Sequence, residues 1–99
     1  DKLIDVIKVE NFVGDEGVGR ELVLVKVNAD SSTRSEITQI CDVFRGKIID
    51  VAPKSLIIEV TGNENKIRAF LNLLESFGVN ELGRTGMVSL RRGATNFEF

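Results

Sequence analysis

The segment FRGKIIDVAPKSLIIEVTG, residues 44–62, predicts the end of a helix followed at once by a β-hairpin. Gly46 stands where the helical pattern stops, a position at which a residue with positive φ is common. Runs rich in β-branched residues lie on both sides of Pro53-Lys54 and are typical of paired strands. Proline has a φ suited to a turn and no N–H group to donate within a sheet. We therefore predict two antiparallel strands joined by a turn at Pro53-Lys54.

Upstream of the hairpin, the sequence predicts one strand and one helix. Residues 20–28 alternate so that Val23, Val25 and Val27 share one face of a strand. Thr33 and Glu36 have the spacing of a capping box and are expected to begin the helix. Its apolar stripe is formed by Ile37, Ile40, Cys41 and Phe44.

Downstream, the sequence predicts a second helix and a last strand. Asn63 can cap this helix, and Gly78 can end it. Its apolar stripe is formed by Ile67, Phe70, Leu71 and Leu74, with Phe77 at the edge. Residues 79–92 have strand character, and Gly83 and Gly86 predict a bulge or a bend before Met87.

The predicted order is strand, helix, strand, strand, helix, strand. We therefore predict an α+β fold, a ferredoxin-like βαββαβ sandwich in which two helices lie on one face of a four-stranded antiparallel sheet. Right-handed connections place the first and third strands at the centre. Each buried Ile, Leu or Phe of the helix stripes contributes about 1.5–3 kcal/mol, so helix-on-sheet packing should be the main stabilising term.

The other face of this sheet has no helix to cover it, yet apolar side chains are predicted there. The four candidates are Leu22, Leu24, Ile48 and Ile57. A contiguous exposed apolar patch more often marks an interface than bare surface. We therefore predict that the domain forms a homodimer, or docks on a partner, through these residues.

The composition is that of one folded domain. Hydrophobic residues are 42% of the 99 and charged residues 28%, which argues against disorder and membrane insertion. No apolar run approaches the roughly 20 residues that span a bilayer, so we expect no membrane contact and a cytoplasmic protein. The net charge of -2 gives no general attraction to nucleic acid. Cys41 cannot form an internal disulfide and is expected in the core.

The first nineteen residues are not expected to belong to the sandwich, which we assign to residues 20–99. Residues 3–9 are β-prone, and we predict that residues 1–10 are the last strand of a preceding domain. Residues 11–19 contain three glycines and predict a linker. Because the chain starts at Asp1 without Met, we expect it to be part of a longer protein.

The residue types that most enzymes need are missing. The sequence has no His, and one Cys cannot build a zinc site, so we predict no catalytic, cofactor-binding or metal-binding residue. The predicted central strands carry aliphatic rather than aromatic side chains, which disfavours RNA binding. Free N–H groups at the start of the first helix, residues 30–33, could hold an anion, although Asp30 and Glu36 would repel it.

Arg84, Arg91 and Arg92 are the nearest thing to a basic patch. One interpretation is a solvated last strand, and the other is a contact with an acidic partner surface. We keep Arg91 and Arg92 as interface candidates beside the four apolar residues.

With these elements placed, the sequence resembles the C-terminal half of the small regulatory subunit of acetohydroxyacid synthase (acetolactate synthase). The specific blocks are FRGKIIDV at residues 44–51 and RTG at residues 84–86, because composition alone would not give them in this order. Further similar stretches are RELVLVKV at residues 20–27 and IEVTG at residues 58–62.

The resemblance implies a non-catalytic regulatory subunit. It implies a preceding ACT domain that ends in residues 1–10, homodimers, and a catalytic large subunit that carries thiamine diphosphate, FAD and Mg. It also implies activation of that subunit and feedback inhibition by branched-chain amino acids, commonly valine. The implied compartment is the cytoplasm, or the plastid stroma in a plant or alga.

Two other functions are weighed against this one. The first is a stand-alone ACT-like sensor of an amino acid, although residues 28–33 lack the glycine-bearing turn that ACT domains use. The second is a small ferredoxin-like enzyme such as an acylphosphatase, which needs a phosphate-binding loop with an Arg after the first strand. Residues 28–33 offer no such loop.

Overall fold

The computed structural model describes residues 17–93. In chain order the elements are β1 Gly17–Asn28, α1 Arg34–Val43, β2 Lys47–Ala52, β3 Ser55–Gly62, α2 Glu64–Glu75, β4 Val79–Arg84 and β5 Val88–Arg91. The strand predicted in residues 1–10 and most of the predicted linker lie outside the described residues.

The sheet is antiparallel, and its main path has the order β2-β3-β1-β4. β5 lies off this path and pairs with the beginning of β1. The predicted ferredoxin-like α+β architecture is therefore confirmed, with β1 and β3 at the centre. Pro53-Lys54 forms the turn between β2 and β3, as the sequence predicts.

The core lies between one face of the sheet and both helices. Its strand side chains are Val23, Val25, Val27, Leu56, Ile58 and Val60, and its helix side chains are Ile37, Cys41, Ile67, Phe70 and Leu74. The rings of Phe44 and Phe70 meet edge to face with their centroids 5.3 Å apart. Both predicted helix stripes and the buried position of Cys41 are therefore confirmed.

The two helices begin differently. The Asn63 side chain accepts a hydrogen bond from the Lys66 N–H group at 2.8 Å and caps α2 as predicted. The predicted capping box of α1 is wrong, because the Thr33 side chain makes no capping hydrogen bond. The Asp30 carboxylate accepts instead from the N–H groups of Ser32 and Thr33, at 2.9 and 3.1 Å. An aspartate turn thus precedes α1.

The end of α1 also differs from the prediction, because Arg45 and not Gly46 has the positive φ, 60°. The Gly46 N–H group donates to the Cys41 carbonyl and the Arg45 N–H group to the Asp42 carbonyl, which is a Schellman arrangement. Gly46 serves close packing instead: a Cβ atom there would lie 3.1 Å from both Cys41 Sγ and the Glu59 carbonyl oxygen.

Residues 17–19 correct the predicted linker boundary, because β1 begins at Gly17 rather than at Arg20. The predicted last strand is in fact two strands, β4 and β5, and β1 reaches Gly17 because the second of them pairs with its first residues. β4 pairs with residues 23–27 of β1, and β5 with residues 17–20. The predicted bend separates them, and Gly86 lies in it with a φ of 84°.

Candidate interaction surfaces

The face of the sheet opposite the helices, called the open face below, combines apolar and charged side chains. Directly paired residues share a face, so Leu24 lies beside Glu59, and Lys26 lies between Ile57 and Glu81. Lys26 Nζ lies 3.4 Å from Glu81 Oε2. An open depression of about 310 Å³ lies here, lined by Leu24, Lys26, Ile57, Glu81, Leu82 and Gly83.

Three of the four predicted apolar interface residues lie on this open face. Leu24 is 44% exposed, whereas Leu22 and Ile57 are partly buried. Leu22 pairs with Thr61, and Ile57 with Lys26. The structure therefore brings these three side chains to one surface, and their role in an interface stays a prediction.

Ile48 is not on that face. It pairs with Ile58, whose side chain is in the core, so Ile48 points to the side of the sheet that carries the helices. The register of β2 and β3 shifts between Ile48 and Asp50, and this irregularity reverses the alternation that the sequence pattern assumes. The predicted placement of Ile48 is therefore wrong.

A second surface is the ribbon formed by residues 17–20 of β1 and by β5, called the β1–β5 ribbon below. Val18 pairs with Leu90, and Arg20 pairs with Val88. Val88 is 68% exposed and Leu90 is 73% exposed. By strand alternation these four side chains lie on the same side of the sheet as Leu22 and Leu24, so the ribbon prolongs the open face.

The three arginines of the proposed basic patch have different surroundings. Arg91 pairs with Gly17 at the end of the ribbon, and Arg92 follows it and is exposed. Arg84 lies at the end of β4, where it is bound to Glu21. Strand alternation thus places Arg91 on the opposite side of the ribbon from Val18 and Leu90, whereas Arg92 follows β5 at its end. Arg84 belongs to a structural contact.

Among residues 17–93, Glu21 is the only charged residue that is buried. Its two carboxylate oxygens accept hydrogen bonds from Arg84 Nε and Nη2, at 2.9 and 2.8 Å, in a bidentate pair. The Gly86 N–H group donates to the same carboxylate at 3.1 Å. The Arg84 hydrogen bond, helped by that of Gly86, holds the pKa of Glu21 below its ordinary value although burial acts in the opposite direction.

Thr85 ties the same corner to the backbone of β1. Its N–H group donates to the Leu22 carbonyl at 3.1 Å, and its Oγ1 atom accepts from the Leu22 N–H group at 3.1 Å. The RTG block thus fixes the point at which β4 ends and the chain turns into β5. Sequence reasoning did not find the ion pair, although Glu21 stands in phase with the buried Val23, Val25 and Val27 and so signals a buried charge.

The anion site considered at the start of α1 is occupied by the carboxylate of the chain's own Asp30. The Asp30 carboxylate accepts from the Ser32 hydroxyl at 2.7 Å as well as from two backbone N–H groups. These hydrogen bonds, the Ser32 hydroxyl first, lower the pKa of Asp30. A second anion would meet this carboxylate, so the structure disfavours phosphate binding here.

Three further possibilities are a reactive cysteine, a metal site and a membrane-spanning helix. Burial raises the pKa of the Cys41 thiol, which lowers its reactivity at neutral pH. Residues 17–93 hold no group of three or more acidic or Cys side chains placed to bind a metal ion. Neither α1 nor α2 is long and apolar enough to cross a membrane. The exposed apolar surfaces described above are the candidate sites of this domain, and such surfaces are typical of protein-interaction modules.

The family comparison agrees with this class. Residues 20–93 match the family model described as small subunit of acetolactate synthase. The chain therefore belongs to the family of acetolactate synthase small subunits.

Individual relatives show how much of such a protein the chain represents. It is 54% identical over 94 residues to a probable acetolactate synthase small subunit of Methanothermobacter thermautotrophicus, covering 94% of this chain and 56% of that protein. It is 53% identical over 91 residues to acetolactate synthase small subunit 2, chloroplastic, of Arabidopsis thaliana, covering 92% of this chain but 19% of that protein.

A solved structure agrees with the fold. The crystal structure of the acetolactate synthase small subunit from Thermotoga maritima has a TM-score of 0.78 and 42% sequence identity to this chain. The match covers 86% of this chain and 52% of that one. The chain thus spans about half the length of its prokaryotic relatives and of this structure.

Proposed function

We propose that this domain is the C-terminal part of a non-catalytic regulatory subunit of acetolactate synthase. In this proposal the whole subunit binds the catalytic large subunit, raises its activity and makes it sensitive to branched-chain amino acids, commonly valine. Membership in the small-subunit family supports the proposal, and the observation that carries it is the apolar open face at Leu22, Leu24 and Ile57, over which no helix of residues 17–93 packs.

The same proposal assigns the cofactors and the compartment. Thiamine diphosphate, FAD and Mg are held by the catalytic partner, and this domain contributes by contact alone. Residues 1–10 are the end of a preceding ACT domain, and residues 11–16 connect the two. The protein acts in the cytoplasm, or in the plastid stroma of a plant or alga.

Reconstitution tests this function. The full-length small subunit is added to the purified catalytic subunit, and acetolactate formation is measured with and without valine. We expect a higher rate, and inhibition by valine that depends on the small subunit. An unchanged rate and unchanged valine sensitivity would refute the assignment.

We further propose that the open face binds a second copy of this domain. Both charge signs occur beside the apolar centre, with Lys26 next to Glu81 and Glu59 next to Leu24, so two copies related by a two-fold axis can pair unlike charges. Leu24→Asp should weaken self-association in sedimentation equilibrium. Leu73→Asp is the matched control, because Leu73 is 50% exposed on α2, on the opposite side of the domain. If the two variants self-associate equally, the open face is not the surface that binds the second copy.

The second candidate function is an amino-acid sensor. The depression on the open face has an apolar lining at Leu24 and Ile57 beside the charges of Lys26 and Glu81. Such a combination suits a small zwitterion with an aliphatic side chain. Titration calorimetry with valine, leucine and isoleucine separates the two functions, because a binding isotherm for this domain alone favours the sensor.

A further inference from the structure

The β1–β5 ribbon has an apolar side that nothing in the described chain covers. Val88 and Leu90 are 68% and 73% exposed, and Val18 lies beside Leu90. A two-stranded ribbon is marginally stable in water unless another layer packs on it. Its exposed apolar side chains therefore indicate a surface that a partner covers.

The charge of the ribbon indicates the kind of partner. Residues 17–20 and 87–93 contain Arg20, Arg91 and Arg92 and no acidic residue. Arg20 lies beside Val88, and Arg92 comes two positions after Leu90, so cationic groups stand at both ends of the apolar surface. The open face differs, because it carries both signs. Two ribbons facing each other would bring like charges together, which disfavours a second copy as the occupant.

The ribbon is also held in a fixed direction before any partner binds. Arg84 and Gly86 bind the buried carboxylate of Glu21, and Thr85 exchanges two hydrogen bonds with Leu22 at the corner that leads into β5. A surface that is already ordered loses less conformational entropy on binding. The corner therefore favours specific docking over adaptable contact.

We infer that the β1–β5 ribbon docks on the catalytic subunit of acetolactate synthase, at a surface with an apolar centre and an acidic rim. This inference rests on the proposed function and deepens it. It assigns the ribbon to the catalytic partner and the open face to the second copy. Rim charges act mainly on the association rate and on its salt dependence, while the apolar centre sets the lifetime of the complex.

Charge reversal tests the rim. The Kd of the full-length small subunit for the catalytic subunit is measured at low and at physiological salt for Arg20→Glu/Arg92→Glu. The matched control is Lys47→Glu/Lys54→Glu, which makes the same change in net charge at exposed positions on the far edge of the sheet. The ribbon variant should bind about tenfold or more weakly at low salt, and this loss should shrink at physiological salt, because screening weakens the repulsion between the new glutamates and the acidic rim. The control should stay within about twofold of the unsubstituted protein.

A second experiment removes the apolar side chains at the centre of the ribbon surface. Val88→Ser/Leu90→Ser should weaken binding by about tenfold, mainly through faster dissociation. Val43→Ser/Leu73→Ser is its control, because these residues are exposed apolar side chains of α1 and α2. Circular dichroism confirms that each variant is folded.

The outcomes separate this inference from the proposed function. Failure of the unsubstituted protein to bind the catalytic subunit overturns both. Binding that survives both ribbon variants overturns the ribbon assignment alone. If the ribbon variants bind the catalytic subunit with unchanged affinity but self-associate more weakly, the ribbon contacts a second copy of this domain. If their affinity is unchanged but their Tm is lower, the ribbon packs against other residues of the same chain.

Discussion

The two ends of β1 lie in different environments although they form one continuous strand. Residues 23–27 have β3 on one side, β4 on the other and the helices above, so Val23, Val25 and Val27 are fully buried. Residues 17–20 pair with β5, and the apolar residues of β5 are more than two-thirds exposed. The two ends of this strand thus differ in the elements that pack against them, which are two strands and the helices at one end and β5 at the other.

Glu21 marks the boundary between these two ends. It is the last position of β1 that points into the core before the ribbon begins, and its charge is matched by Arg84 from β4. A buried carboxylate is stable there only because its hydrogen bonds are satisfied. The boundary is therefore a specific contact, and substitutions on its two sides should have very different effects.

The largest expected difference is between equivalent leucines of the body and of the ribbon. Leu56→Ala in β3 removes a side chain that is 1% exposed and should lower the free energy of unfolding by about 2–5 kcal/mol. Leu90→Ala in β5 should change it by less than about 0.5 kcal/mol, because that side chain already faces water. Urea denaturation measures both. Similar losses would mean that the ribbon is packed in solution and that the two ends of β1 do not differ in burial.

The next effect concerns the boundary itself. Arg84→Met leaves the Glu21 carboxylate buried with only the Gly86 N–H group as a remaining partner, which should cost about 2 kcal/mol at pH 7. This is below the full cost for a buried pair because the Arg84 side chain is 46% exposed. Arg68→Met is the control: it breaks an exposed pair with Glu64 and should cost less than about 0.5 kcal/mol.

The stability lost in Arg84→Met should depend on pH. In the unsubstituted protein the pKa of Glu21 is lowered from its ordinary value of 4.5, so its contribution to stability is complete above that pH and is lost as the pH falls through the lowered pKa. Without Arg84 the largest contribution that lowers the pKa of Glu21 is gone, and burial then acts against the charged form with only the Gly86 hydrogen bond opposing it. The difference in stability between Arg84→Met and the unsubstituted protein should therefore shrink as the pH falls from 7 towards 4. A difference that is constant over this range would show that Arg84 acts by packing.

The sequence predicts the body of the domain well because its elements follow simple periods. The stripes of α1 and α2, the Pro53-Lys54 turn and the central strands depend on apolar spacing and turn chemistry within a few residues. The Asn63 cap is local in the same way. Each of these features needs no knowledge of a distant partner.

The features that sequence reasoning missed depend on contacts between distant residues. The start of β1 at Gly17 is visible only when β5, some seventy residues later, is placed beside it. The orientation of Ile48 depends on a shift in register with β3, which no alternation pattern contains. The candidate surfaces were predicted in part: Leu22, Leu24 and Ile57 follow from strand alternation, whereas the ribbon and the Glu21–Arg84 pair required the sheet order.

The smallest expected effects compare two backbone positions with positive φ, one in the body and one beside the ribbon. Arg45, after α1, has a φ of 60°, which costs a residue with a side chain roughly 1–2 kcal/mol. Glycine avoids this cost but has a larger conformational entropy in the unfolded chain, so Arg45→Gly should stabilise the protein by about 0.5–1 kcal/mol. Gly86, in the corner before β5, has a φ of 84°, and a Cβ atom there would meet nothing within 4 Å. Gly86→Ala should therefore destabilise by about 1 kcal/mol through backbone conformation alone. Thermal unfolding gives the sign of each effect, and a neutral Gly86→Ala would indicate that the corner relaxes to another conformation, so that the ribbon is not held in the direction on which its docking depends.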